Sequence, residues 1–272
     1  YQMDRLPEAR RWMESAIAKF PTFRRAWQTL ALINVREQRY AEAIEPLLKV
    51  ISLGGEDAQS YGLLGYAHLS EGNYRSALSA YEKARMFDAK SQDFKRGEAH
   101  CLLMLGKYHE AIALFEELIR QHPDEIDYWL LQCNAYLSLE QYDRAIANLE
   151  LVRSMGKASV DSLYLLGDLY MREDVPQLAL QAYLAVLQQE KDIQLDKALR
   201  SLQYFTERSY VEEARTYLSQ LRGRIKDSVK GNDQLRLQLA EAVILQKEEK
   251  HDLAIALLQP IITADPLNGV AL

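Results

Sequence analysis

Motifs that carry chemistry are missing from this chain: there is no phosphate-binding glycine loop, no nucleophile elbow and no zinc-protease signature. The five histidines, His68, His100, His109, His122 and His251, show no metal-ligand spacing. Only two cysteines occur, Cys101 and Cys133, too few for a disulfide framework, and both are expected to be buried, reduced thiols. Basic residues are outnumbered, 33 Lys and Arg against 39 Asp and Glu, for a formal charge of −6. No basic stripe is present, which argues against nucleic acid or an anionic membrane as partner. No apolar run reaches bilayer-spanning length, so direct membrane insertion is not expected, and Tyr1 to Glu14 lacks the hydrophobic stretch of a signal peptide. His68 and His100 could approach across adjacent first helices, but a surface or packing role is expected of them, and no catalytic, metal or cofactor role is expected of this segment. The remainder, 48% apolar and 26% charged residues, is the composition of a folded chain.

What is present is a beat. Alanine returns every 34 residues at Ala43, Ala77, Ala111, Ala145 and Ala179, each followed by Ile or Leu, and tyrosine precedes it by three at Tyr40, Tyr74, Tyr108 and Tyr142. A strict period of this length signifies stacked copies of one supersecondary unit. Units begin at Arg24, Ala58, Gln92, Ile126 and Val160 without insertion, and both halves of each show helical spacing. Short polar turns such as Glu71-Gly72-Asn73 and Leu105-Gly106-Lys107 fall midway, where a helix C-terminal cap is needed. Large residues followed four positions later by small ones let a bulky side chain enter the gap on a partner helix.

Trp27, Leu30 and Ala31 with Ala43; Tyr61, Leu64 and Gly65 with Ala77 and Tyr81; Ala111, Phe115 and Pro123; Trp129, Cys133, Tyr136 and Ala145; and Leu166, Gly167, Tyr170 and Ala179 together resemble the tetratricopeptide repeat. That resemblance implies an all-α fold, an α-solenoid of stacked antiparallel helix hairpins in a right-handed superhelix. The implied organisation is a second helix of a truncated repeat at 1–23, five regular units over 24–193, and a degenerate sixth unit with a longer turn over 194–234. A seventh unit covers 235–268 and ends near Pro266, and 269–272 starts a further repeat. The longer turn falls on Lys226-Asp227-Ser228 and Gly231-Asn232-Asp233. Neither end shows a solvating cap, so the segment is expected to belong to a longer repeat protein or to pack on something else. Pro46 and Pro260 fall inside second helices. Each should either kink its helix, at a cost of ~3 kcal/mol without bending, or sit in a first or last turn.

In this family the first helices line a concave groove, and positions two, five, nine, twelve and thirteen face it. Carried over, position two reads Arg25, Gln59, Asp93, Asp127 and Asp161, with Asp196 continuing the row. Position nine reads Leu32, Tyr66, His100, Asn134 and Asp168. Positions five and thirteen add Arg96, Leu130, Tyr164, Arg36, Met104 and Arg172. The aspartates in register give the groove a negative field, with Arg24, Arg25 and Arg36 at the other end. Alternatively, each aspartate serves only the dipole of its helix. The chaperone-binding branch of the family uses Lys and Asn at positions five and nine, and here only Asn134 matches. The carboxylates Glu116-Glu117 and Glu248-Glu249 fall in second helices and read as solvated faces.

The function implied is a non-catalytic scaffold that binds, in its groove, a protein or peptide carrying basic and apolar residues. The alternative is an assembly module that uses the convex face or the open ends, where apolar rows such as Leu6, Met13 and Ile17 invite self-association. Residues Tyr128 to Tyr183 also resemble bacterial repeat proteins accompanying TonB-type envelope transducers, which implies a periplasmic setting while leaving the cytoplasm open.

Overall fold

The computed structural model describes residues 6–225 and 231–264. Among the described residues the chain forms fifteen α-helices and no strand. They are α1 (Leu6–Lys19), α2 (Arg24–Arg36), α3 (Tyr40–Ser52), α4 (Ala58–Ser70), α5 (Tyr74–Phe87), α6 (Gln92–Met104), α7 (Tyr108–Gln121) and α8 (Ile126–Ser138). The chain continues through α9 (Tyr142–Ser154), α10 (Val160–Arg172), α11 (Pro176–Gln189), α12 (Leu195–Glu207), α13 (Val211–Ile225), α14 (Asn232–Lys247) and α15 (His251–Ala264). The fold is an all-α solenoid of helix hairpins. It divides into two compact units, residues Tyr1–Gln141 with α1 to α8 and Tyr142–Leu272 with α9 to α15. The proposed start of a further repeat at 269–272, Pro266 and the Lys226–Ser228 part of the long turn lie outside the described residues.

Each first helix is stopped by the same device. A residue in the left-handed region follows it at Gln38, Gly72, Gly106, Glu140 and Asp174, on the 34-residue beat, then at Ser209 and Glu249, one and seven residues beyond it. The next backbone N–H reaches back to the helix's last turn: Arg39 to Asn34 O (2.8 Å), Asn73 to His68 O (2.8 Å), Lys107 to Leu102 O (2.9 Å), Val175 to Tyr170 O (2.9 Å) and Tyr210 to Phe205 O (2.8 Å). This is a Schellman cap, which satisfies carbonyls that a helix end leaves without donors.

The repeating alanines Ala43, Ala77, Ala111, Ala145 and Ala179 are all fully buried, because the second helix meets its neighbours through that face. Glycines on the first helices make room for rings. A Cβ on Gly65 would lie 2.9 Å from the Tyr81 ring, one on Gly97 2.3 Å from the same ring, and one on Gly167 2.3 Å from Tyr183. Trp27 Nε1 donates to Pro21 O (2.8 Å) and Trp129 Nε1 to Pro123 O (2.9 Å), tying each tryptophan to the turn before its helix. In the second unit Tyr183, Phe205 and Tyr217 are buried together with ring centroids 5.7 to 6.3 Å apart.

Several expectations are corrected. Pro46 and Pro260 sit in the interiors of α3 and α15, not in terminal turns, and both helices run on through them. Pro46 is buried, and the carbonyl it cannot serve, Glu42 O, accepts from the Asn34 side chain at 2.7 Å. Leu6, Met13 and Ile17 are half-buried rather than open; the exposed apolar groups at this end are Trp12 (72%) and Phe20 (65%). Glu248 and Glu249 lie in the turn after α14 rather than in a second helix. Glu248 is held there by Arg215 and by Lys250 at 3.0 Å, and this pairing lowers its carboxyl pKa below the ordinary range. Glu117 is likewise paired, with Lys95 at 2.7 Å.

Candidate functional site

In the first unit, successive first helices enclose a concavity of about 600 Å³. Helix α4 contributes Tyr66, Leu69 and Ser70; α6 contributes Asp93, Arg96, Gly97 and His100; α8 contributes Asp127, Leu130 and Leu131; Tyr74 and Tyr81 come from α5. The lining follows from the 34-residue period: equal repeat positions on stacked helices turn the same side chains to one face. Tyr66, Asp93, Arg96, His100 and Asp127, all expected in the groove, are brought together here. Leu69 and Ser70 occupy positions twelve and thirteen, whereas Tyr74, Tyr81, Gly97 and Leu131 lie outside the positions that the resemblance assigns to the groove. Tyr74 belongs to the tyrosine beat that marks second helices, so its spacing reads as scaffold.

The concavity is mixed in character. Leu69, Leu130, Leu131 and Gly97 supply its apolar lining. Tyr66 is 43% exposed, meets Tyr40 edge-on at 5.5 Å between centroids, and shares a 3.4 Å hydroxyl contact with it. Arg96 Nη2 lies 3.2 Å from Asp93 Oδ1, one helical turn away. Burial and the neighbouring Arg96 charge lower the His100 pKa below the ordinary histidine value of 6.5, so the ring is neutral at pH 7. Asp127 is exposed in the first turn of α8 and has no cationic partner among the described residues.

The other expected groove residues of this unit stand apart from the concavity. Arg25, Arg36 and Asn134 are exposed and Leu32 is half-buried. Arg24, expected to add to a basic cluster, instead donates to Gly54 O at 2.8 Å.

In the second unit the expected bare negative field is absent, because the aspartates are matched from within the chain. Asp161 pairs with Lys197 (2.7 Å) and Asp196 with Arg236 (2.7 Å). Asp168 is half-buried, accepts from the Tyr183 hydroxyl at 2.6 Å and faces Arg200 at 3.3 Å; burial raises its pKa. Tyr164 is 3% exposed beside Tyr183, and burial pushes its pKa up to about 12. Neither residue offers the open surface expected of it. Arg172 is exposed, with its guanidinium 3.9 Å above the Tyr142 ring. An apolar cleft of about 290 Å³ between α12 and α14, lined by Leu199, Leu239 and Val243 among others, was not foreseen. The missing pattern in the degenerate sixth unit hid it.

Among the described residues no group of three or more His, Cys, Asp or Glu side chains is placed to hold a metal ion. Cys101 and Cys133 are buried free thiols, and burial pushes both up to about 12. No described helix is long and apolar enough to cross a membrane.

Comparison with known proteins agrees with this geometry. The chain is 28% identical over 101 residues to superkiller complex protein 3 of Homo sapiens, a match covering 37% of this chain and 6% of that protein. It is 30% identical over 99 residues to the Hsp70-Hsp90 organizing protein of Triticum aestivum, covering 36% of this chain and 17% of that protein. The chain thus matches only a small part of these relatives. The C-terminal part of a TPR repeat-containing protein from Cytophaga hutchinsonii superposes with a TM-score of 0.67 at 16% identity, over 89% of this chain and 96% of that one. MamA from Desulfovibrio magneticus RS-1 superposes with a TM-score of 0.57 at 18% identity, over 61% and 93%. One tetratricopeptide repeat model matches residues 68–133 and another matches 1–61 and 130–192. With its hairpins, capped turns and 34-residue period, the chain belongs to the tetratricopeptide repeat family, whose members generally serve as non-catalytic protein-interaction scaffolds.

Proposed function

We propose that this chain is itself a non-catalytic scaffold and that it holds a protein segment against the first helices of its first unit. One observation carries the reading: three successive first helices, α4, α6 and α8, line a single concavity with both apolar and polar side chains. Such a surface suits an extended or helical segment that carries apolar and basic residues. The carboxylate-clamp chemistry of the chaperone-binding branch has no place here. Position five of the second repeat is Gly62, where a Cβ would lie 2.2 Å from the Phe94 ring, so no lysine fits. A photo-crosslinking amino acid placed at Leu130 should capture a bound segment, and one at exposed Glu116 on α7 should not. Equal capture at both positions would remove the groove from the proposal.

A second reading rests on α1, which buries none of its residues and leaves Trp12 72% exposed. The exposed Trp12 ring, with Phe20 at the end of the helix 65% exposed, suits assembly with another helix. Light scattering across protein concentration tests it, with Trp12→Ser expected to abolish any association seen; a monomer throughout would dismiss it.

A further inference from the structure

Helix α1 carries four exposed side chains in a single stripe: Glu8, Trp12, Ser15 and Lys19, spaced by four, three and four residues. That spacing keeps them on one face of a helix with 3.6 residues per turn. The 34-residue period aligns Trp12 with Pro46, Ala80, Asn148 and Ala182, all buried in later second helices, and with half-buried Leu114. None of these is aromatic. The repeat architecture normally covers this face, but an indole does not match the smaller side chains by which a regular repeat packs there.

The stripe is complementary to itself. When two α1 helices lie antiparallel about a two-fold axis passing between Met13 and Glu14, Glu8 faces Lys19 of the second copy and Trp12 faces its Ser15, and symmetry repeats each contact. The serine leaves room for the ring, so the helix axes can approach closely. A parallel pair would set Glu8 against Glu8 and Lys19 against Lys19, and charge therefore selects the antiparallel orientation. Both charges are available for the contact. Among the described residues the ion pairs of α1 all involve Arg10, which engages Glu14, Glu37 and Glu42.

We propose that this chain pairs with a second copy of itself through α1, the two helices antiparallel, with Trp12 packed over Ser15 and Glu8 paired with Lys19 across the two-fold axis. This rests on the assembly reading above and names its partner.

Sedimentation velocity of the full chain at low salt, over a concentration series, provides the test. The wild type should show a monomer–dimer equilibrium that Trp12→Ser abolishes. Glu8→Lys and Lys19→Glu should each weaken it about tenfold or more, because either change turns two attractive pairs into two repulsive ones. An equimolar mixture of these two variants should recover the wild-type affinity, since every pair across the axis then has opposite signs, and so should the doubly reversed chain. The substituted positions are exposed, so all variants should keep the wild-type melting temperature. A dimer lost in Trp12→Ser but unchanged by either charge reversal, or a mixture no tighter than its components, would overturn the antiparallel pairing and leave the assembly reading standing. A monomer at every concentration, or a dimer indifferent to Trp12→Ser, would overturn both.

Discussion

Asn34 supplies from its side chain the donor that Pro46 withholds from its own helix. The carbonyl four residues before Pro46 is that of Glu42, and Asn34 Nδ2 donates to it at 2.7 Å. The amide oxygen of Asn34 in turn accepts from Arg10 Nη2 at 2.6 Å. Asn34 is 2% exposed, so water cannot substitute for it. Asn34→Ala should therefore cost ~1–3 kcal/mol, the penalty for leaving a buried polar group unpaired. In a Pro46→Ala background the backbone N–H is restored and the same change should cost less. Urea unfolding of the four proteins in this cycle measures the coupling; a value within about 0.3 kcal/mol of zero, the usual limit of additivity, would mean that the two residues act separately.

The capped turns offer a test of opposite sign. Gln38 and Glu140 hold left-handed backbone, with φ of 58° and 56°, although side chains disfavour that region. Gln38→Gly and Glu140→Gly should each raise stability by up to ~1 kcal/mol, and Gly72→Ala, at φ 73°, should lower it by about as much. Melting temperatures that move the other way would refute the cap assignment.

Gly97→Ala places a methyl group 2.3 Å from the Tyr81 ring, inside contact distance. The expected loss is ~1–3 kcal/mol from overpacking, and Tyr81→Leu should recover part of it by opening space. Denaturant midpoints for the single and double variants decide the matter. An additive result would show that the ring is not what Gly97 accommodates.

Burial lowers the His68 pKa below its ordinary value, and burial with Arg96 does the same at His100. Between the lowered folded values and about 6.5 in the unfolded chain, the unfolded state binds more protons, so stability rises with pH. This contribution is complete above about pH 6.5 and is lost as pH falls through the folded values. Thermal unfolding followed from about pH 7.5 to about pH 5 should therefore show a decline that His68→Gln and His100→Gln flatten. Superimposable wild-type and variant curves would contradict it.

The helices and their pairing were legible because a period repeated without insertion over five units leaves little freedom to misplace an element. The lining of the concavity was legible where a residue's placement depends on its own repeat position, as for Tyr66, Arg96 and Asp127. It was not legible where the role depends on a partner. Asp168 reads as a groove residue at position nine, but the second helix of that repeat carries Tyr183, whose hydroxyl engages it at 2.6 Å; the corresponding position is Leu47 in the first repeat and Phe115 in the third. Asp161 reads as unpaired until Lys197, one repeat later, is seen beside it. Asn34 is invisible as a partner of Pro46 for the same reason.

Tyr81 touches glycines on two first helices, Gly65 of α4 and Gly97 of α6. Its ring works as a gauge block: the spacing of those helices is set by the thickness of one aromatic group and not by the side chains around the opening. Substitutions at Tyr66, Asp93 or His100 can then alter what the cavity recognises while its width stays the same, so that selectivity and architecture in this unit can change independently.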